Sequence, residues 1–115
     1  MEIRIQIVHI MNIENEIWIG LVGLRPLIEV TILGNNKGAY TNLLLLAKNY
    51  DDFKSKALIF MYKINLEIFE FDEIEIFSER IKNNEVDKKL LHLAKLVKQN
   101  NNPQFSNLHI YNEYT

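Results

Sequence analysis

The stretch LEIFEFDEIEIFSERIKNNEVD, residues 66–87, decides how the rest of the chain is read. Eight acids stand in it, Glu67, Glu70, Asp72, Glu73, Glu75, Glu79, Glu85 and Asp87, against two bases, Arg80 and Lys82, a local charge of −6. The whole chain carries −2, so the other residues, with eleven bases against seven acids, are net positive by 4. Apolar residues alternate with the acids, as in a strand that buries one face and shows carboxylates on the other. The alternation changes phase: Leu66 and Ile68 are even-numbered, Phe69 and Phe71 odd, Ile74 and Ile76 even again. A bulge or bend near 70–73 would produce this slip. By simple alternation Glu73 and Glu75 share one side of the strand and Glu70 and Asp72 the other. Residues 77–83 then read as a short helical turn.

On the C-terminal side, Asn84 is expected to cap a helix running from 85 to 99. Val86, Leu90, Leu93, Ala94 and Val97 form its apolar stripe, and Lys88, Lys89, Lys95 and Lys98 its solvated side. Asn100, Asn101, Asn102 and Pro103 stop it. Residues 108–111 close the chain as a strand with Leu108 and Ile110 on one face.

On the N-terminal side, Asn49 can cap a helix over 51–64, and Asp52 adds a favourable charge to its first turn. Phe53, Ala57, Phe60, Met61 and Ile64 would point inward. Residues 39–48 read either as a strand or as the start of one long helix, since Leu43, Leu46 and Ala47 continue the same stripe. The strand is preferred because Gly34-Asn35-Asn36-Lys37-Gly38 is a tight-turn signal that needs a partner strand on its far side. That partner would be 27–33, apolar on both faces and so a central strand. Gly23 and Pro26 punctuate before it. Residues 16–22 form another strand, 12–15 a turn, and 2–9, with Ile3, Ile5 and Ile7 against Glu2, Arg4 and Gln6, a half-buried first strand. The sum is one domain over residues 1–115 of the α+β class: a mainly antiparallel sheet with two main helices packed on one face.

The composition sets limits. At 115 residues, 48% hydrophobic, the chain is long enough for one core and too apolar for disorder. It has no cysteine, which removes disulfides and thiolate metal sites. Isoleucine, asparagine and lysine are abundant, as AT-rich coding DNA would give. The opening MEIRIQ lacks the basic and apolar regions of a secretory signal, and no apolar run approaches the roughly 20 residues of a membrane span. A cytoplasmic protein is expected, with no membrane and no nucleic-acid partner. The lysine stripe of the last helix is mild and has no interleaved aromatic platform.

Catalytic patterns are missing. His9, His92 and His109 have no ligand spacing and read as surface or hydrogen-bonded histidines. Ser55, Ser78 and Ser106 lie in no nucleophile elbow, and Gly20, Gly23, Gly34 and Gly38 spell no phosphate loop. The carboxylates of 70–75 could serve glycoside chemistry or a divalent cation, but no calcium-loop spacing accompanies them. No metal or cofactor is expected to be needed for folding, and no enzyme is expected. A charge run of this kind is either a solvated face or a partner surface. Like charges so close repel one another, and a cationic partner would relieve that cost. Trp18 reads as a core residue or an interface anchor, and Tyr111 and Tyr114 as exposed binding tyrosines.

With these features in place, the chain resembles a small immunity protein of a bacterial toxin–immunity pair, of the contact-dependent growth-inhibition kind. The resemblance rests on size, α+β character, lack of cysteine and the acidic stretch. Gly38-Ala39-Tyr40-Thr41-Asn42-Leu43, Asp51-Asp52-Phe53 and Phe77-Ser78-Glu79-Arg80-Ile81 look like landmarks of it. It implies a cytosolic inhibitor that binds the C-terminal domain of a cognate toxin and occludes its active site. Many such toxins are nucleases with basic clefts. The eight acids would meet that cleft, with an aromatic anchor among Phe69, Phe71 and Phe77. The rivals are a homodimer joined through an edge strand such as 108–111 and, behind it, an enzyme using the carboxylates.

Overall fold

Most alternating or apolar runs become strands here, residues 27–33 being the exception, and the two long 3.6-period runs become helices. The computed structural model describes residues 15–83 and 86–112. In chain order they form β1 (Glu16–Pro26), β2 (Gly38–Ala47), α1 (Tyr50–Lys63), β3 (Leu66–Ile76), α2 (Phe77–Asn83), α3 (Lys88–Asn100), β4 (Gln104–Phe105) and β5 (His109–Tyr111). The sheet is antiparallel throughout, in the order β3-β1-β2-β4, and β5 also pairs with β2. The expected α+β class is what the structure has. The expected strand 2–9 with His9, and also Asn84, Glu85 and Tyr114, lie outside the described residues.

The placement of the helices differs from expectation. Directly opposed residues of an antiparallel pair point to the same face. The register Trp18↔Leu45, Val22↔Thr41, Leu24↔Ala39 builds one face and Ile17↔Leu46, Ile19↔Leu44 the other. On the first face Val22, Leu24, Leu43, Leu45 and Ala47 pack with Phe53, Ala57 and Met61 of α1. On the second, Ile19 and Leu44 pack with Phe77 of α2 and Ala94 and Val97 of α3. α1 and α3 therefore cover opposite faces. The cause is visible in β2: residues 43–47 read LLLLA, so both sides of the strand are apolar and both need cover.

α1 forms where its caps predict. Asn49 Oδ1 accepts from the Asp52 N–H at 2.8 Å, and Asp52 Oδ2 accepts from the Lys48 N–H at 2.9 Å. Phe53, Ala57 and Met61, spaced by four, are fully buried, with Phe60 and Ile64 packed beside them. α3 starts three residues later than expected. Its cap is Asp87, whose Oδ1 takes the Lys89 N–H at 2.6 Å, and it ends at Asn101 in the left-handed conformation, φ 53°.

Residues 27–33 are not a strand. β1 runs through Gly23 to Pro26 and itself occupies the place beside β2, so no strand edge remains there for 27–33. Leu27, Ile28, Val30 and Ile32 are exposed, and Leu33 alone of this run is buried, in the first-face core. The turn at Gly34 is real: Gly34 has φ +60°, and the Leu33 carbonyl accepts from the N–H and from Nδ2 of Asn36. It leads into β2, but the other arm of the hairpin is β1, joined through residues 27–37. The choice of strand over helix for 39–48 holds. At the C-terminal end Leu108 packs against the first-face core and Ile110, opposite Ala39, points to the same side, so the two share a face as expected, with Ile110 left exposed.

Candidate partner surface

The phase slip in 66–76 is two bulges, both with the extra residue on β3. Opposite β1, the register passes from Ile19↔Glu75 to Leu21↔Asp72, and from Gly23↔Glu70 to Leu24↔Ile68. One slip surrounds Glu73, which adopts φ +50° with its N–H held by Asp72 Oδ1 at 2.8 Å. The other leaves Phe69 unopposed. The result corrects the expected split of the acids. Glu67, Glu70, Asp72 and Glu75 lie opposite Arg25, Gly23, Leu21 and Ile19, four odd-numbered residues, and so all four share the second face. Leu66, Ile68, Phe71 and Ile74 face α1.

The helices cover only part of this second face, around Ile17, Ile19, Leu44 and Leu46. Beyond it lies a half that the described residues leave open, carrying Glu67, Glu70, Asp72 and three rings. Phe69, turned to this side by its bulge, meets Tyr40 edge-on at 5.9 Å between centroids and Tyr111 at 6.2 Å; Tyr40 and Tyr111 are 5.5 Å apart. Gly23 is the floor under them, since a Cβ there would stand 2.8 Å from Phe69 Cζ and 2.9 Å from Tyr40 Cε1. Arg25 lays its guanidinium 4.8 Å from the Phe69 centroid and pairs with Glu67 at 2.7 Å. Tyr40 donates its hydroxyl to Glu70 Oε1 at 3.1 Å. Desolvation among the rings, then the bond to Glu70 and its negative charge, hold the Tyr40 pKa above the usual tyrosine value.

The expected site residues thus separate. Glu75 is bound by Arg80, whose Nε donates to Oε2 at 3.0 Å while its Nη2 donates to the Glu73 carbonyl. Glu79 pairs with Lys82 at 3.6 Å along α2, and Asp87 is a helix cap. Glu70 and Asp72 have no Lys or Arg within ion-pair distance among the described residues. Of the expected aromatic anchors, Phe69 is on the open face, Phe71 packs toward α1, and Phe77 is buried under α3. Trp18 packs against the first-face core, and Tyr111 is half-buried in the ring cluster. Sequence reading missed Tyr40, Gly23 and Arg25. The signal was faint: Phe69 at the break in alternation, and a glycine inside an otherwise β-rich run.

The open half-face is bordered by a cleft of about 590 Å³ lined by Asn42, Lys88, Lys89, His92, Ser106 and His109. The fold brings His92 and His109 together there, which their spacing did not reveal. No group of three or more His, Asp and Glu among the described residues is arranged to hold a metal ion. No helix among them is long and apolar enough to cross a membrane. On the far side, Leu27, Leu58, Ile59, Tyr62, Leu66 and Ile68 line an apolar groove of about 630 Å³. Compared with known proteins, the chain matches no family model, no curated protein and no solved structure.

Proposed function

We propose that the protein is an immunity protein: a cytoplasmic inhibitor that binds a cognate basic toxin domain, of nuclease type, and occludes its active site. One observation carries the reading. Two bulges gather Glu67, Glu70 and Asp72 onto an open sheet face beside three aromatic rings, and Glu70 and Asp72 have no cationic partner among the described residues. Carboxylates so placed can stand where a nucleic-acid phosphate would, and they speed encounter with a basic cleft. The test is co-expression with the C-terminal domain of an exoprotein encoded beside its gene. Cells should survive with the wild-type chain and lose protection when Glu70 and Asp72 are reversed to lysine. Survival independent of the chain, or protection untouched by the reversal, would sink the reading.

A second reading, a homodimer, is favoured by the apolar groove and its surroundings. Leu27, Ile28, Val30, Ile32, Leu58, Ile59 and Tyr62 are all exposed, with Val30 at 83%. The groove gathers Leu27, Leu58, Ile59 and Tyr62 of these, and apolar exposure gathered in this way marks association surfaces. Sedimentation across a concentration series separates the two, a single monomeric species telling against the dimer.

A further inference from the structure

We infer that two copies of the chain associate about a two-fold axis, each seating residues 28–32 in the apolar groove of the other. This rests on the homodimer reading and adds which surfaces meet and in what register.

The patch contains both halves of such a contact. Leu58, Ile59 and Tyr62 of α1 and Leu66 and Ile68 of β3 wall the groove, with Leu27 at its rim. The next residues of the chain form a projection: Ile28 is 50% exposed, Val30 83% and Ile32 54%. This projection is pinned at both ends. The Leu27 N–H donates to the Asn65 carbonyl at 2.9 Å, and Leu33 is buried in the first-face core with its N–H held by Thr31 Oγ1 at 3.1 Å. A loop held in place loses little freedom on binding. Because an apolar projection and an apolar hollow sit side by side on one molecule, a two-fold axis brings each projection to the other copy's hollow at once. The exposed apolar side chains here together show roughly 700 Å², near the roughly 800 Å² that each partner buries in a standard interface.

Charge sets the register. Glu29 stands between Ile28 and Val30, and Lys63 lines the groove. Both are exposed, and neither is in an ion pair among the described residues. With the loop seated, Glu29 of each copy meets Lys63 of the other, one pair on each side of the axis. Exposed pairs contribute little affinity, but two of them select one docking over its alternatives. Glu29 and Glu67 in the patch turn an anionic lipid surface away. The contact lies on the α1 side of the sheet, so Glu70 and Asp72 on the second face stay uncovered.

The test is sedimentation of the full-length chain across a concentration series. Wild type should pass from its monomer mass of 13.6 kDa toward twice that mass as concentration rises. Val30→Asp should abolish the association. Glu29→Lys and Lys63→Glu should each weaken it about tenfold, since each sets like charges at both pairs. An equimolar mixture of these two variants should recover it, because every pair between them is again of opposite sign. Diluted to monomers, all three variants should unfold as wild type does, which shows that they fold. Wild type monomeric at every concentration overturns the inference and the homodimer reading together, whether the groove is then bare, filled by another segment of the same chain, or bound to phosphatidylcholine–phosphatidylserine vesicles. A dimer that all three variants leave intact, or a mixture no tighter than its components, overturns the inference and leaves the homodimer reading standing.

Discussion

Gly23 and Glu73 carry the site, and both break a local rule. Gly23 sits in mid-strand, where glycine normally weakens pairing, and its sequence reading was a strand end. It is tolerated because two rings rest on its Cα, a contact between residues far apart in sequence that no local pattern encodes. Gly23→Ala forces a methyl group into rings less than 3 Å away. It should destabilise the protein by about 1–3 kcal/mol in urea unfolding and shift the Tyr40 and Phe69 ring signals. A variant as stable as wild type would show that the rings are free to move aside. Glu73 is legible only in hindsight. The break in alternation announced a bulge near 70–73, but not that an acid would take the left-handed position, which suits glycine or asparagine better.

At the scale of elements, α1 was legible almost to the residue, because its cap and stripe are local. Asp52 has its pKa lowered first by the Lys48 N–H hydrogen bond and then by Lys56, 3.0 Å away. A depressed carboxylate contributes stability above its unfolded value, near 3.8, and loses it as pH falls through the lower folded value. Asp52→Ala should therefore lower the melting temperature at neutral pH, by a loss of about 1 kcal/mol, and the gap to wild type should close under acid conditions. A gap independent of pH would place its origin in helix propensity instead. Residues 27–33 were misread for the opposite reason. They are β-branched and apolar, but strand formation needs a vacant ladder, and β1 fills it. If 27–33 is a loop, Val30→Ser should change stability by no more than about 0.5 kcal/mol, whereas Leu33→Ala should cost about 2–5 kcal/mol. A large loss at Val30 would mean that its exposed side chain is covered in solution.

Across the whole molecule, the class and the antiparallel sheet followed from pattern, but the assignment of helices to faces did not. It depends on register, and a shift of one residue exchanges the faces. The same dependence hid the site. Counting acids found a charged stretch, yet only the paired strands reveal that Glu75 is held by Arg80 while Glu70 and Asp72 look outward. The variants should therefore divide. Glu70→Lys with Asp72→Lys should leave the melting curve nearly unchanged and, on the proposed inhibitor reading, flatten the salt dependence of association with a toxin domain, since exposed charges are screened over about 8 Å at physiological ionic strength. Glu75→Lys should instead cost about 1–2 kcal/mol of stability, because Arg80, only 14% exposed, loses its acceptor and meets a like charge. If Glu75→Lys proves harmless while the other pair unfolds the protein, the division is wrong.

The bulges that gather the acids also change what β3 can do along its length. Among the described residues β3 is the outer strand of the sheet on its side. A regular outer strand offers an even ladder of N–H and C=O groups that a further strand can copy, the first step in fibre growth. With two extra residues and a left-handed Glu73, β3 offers an interrupted ladder, and its carboxylates would confront those of an identical neighbour. In a chain this rich in isoleucine and leucine, the irregularity that gathers the acids on one face also leaves the outer strand a poor template for a further strand.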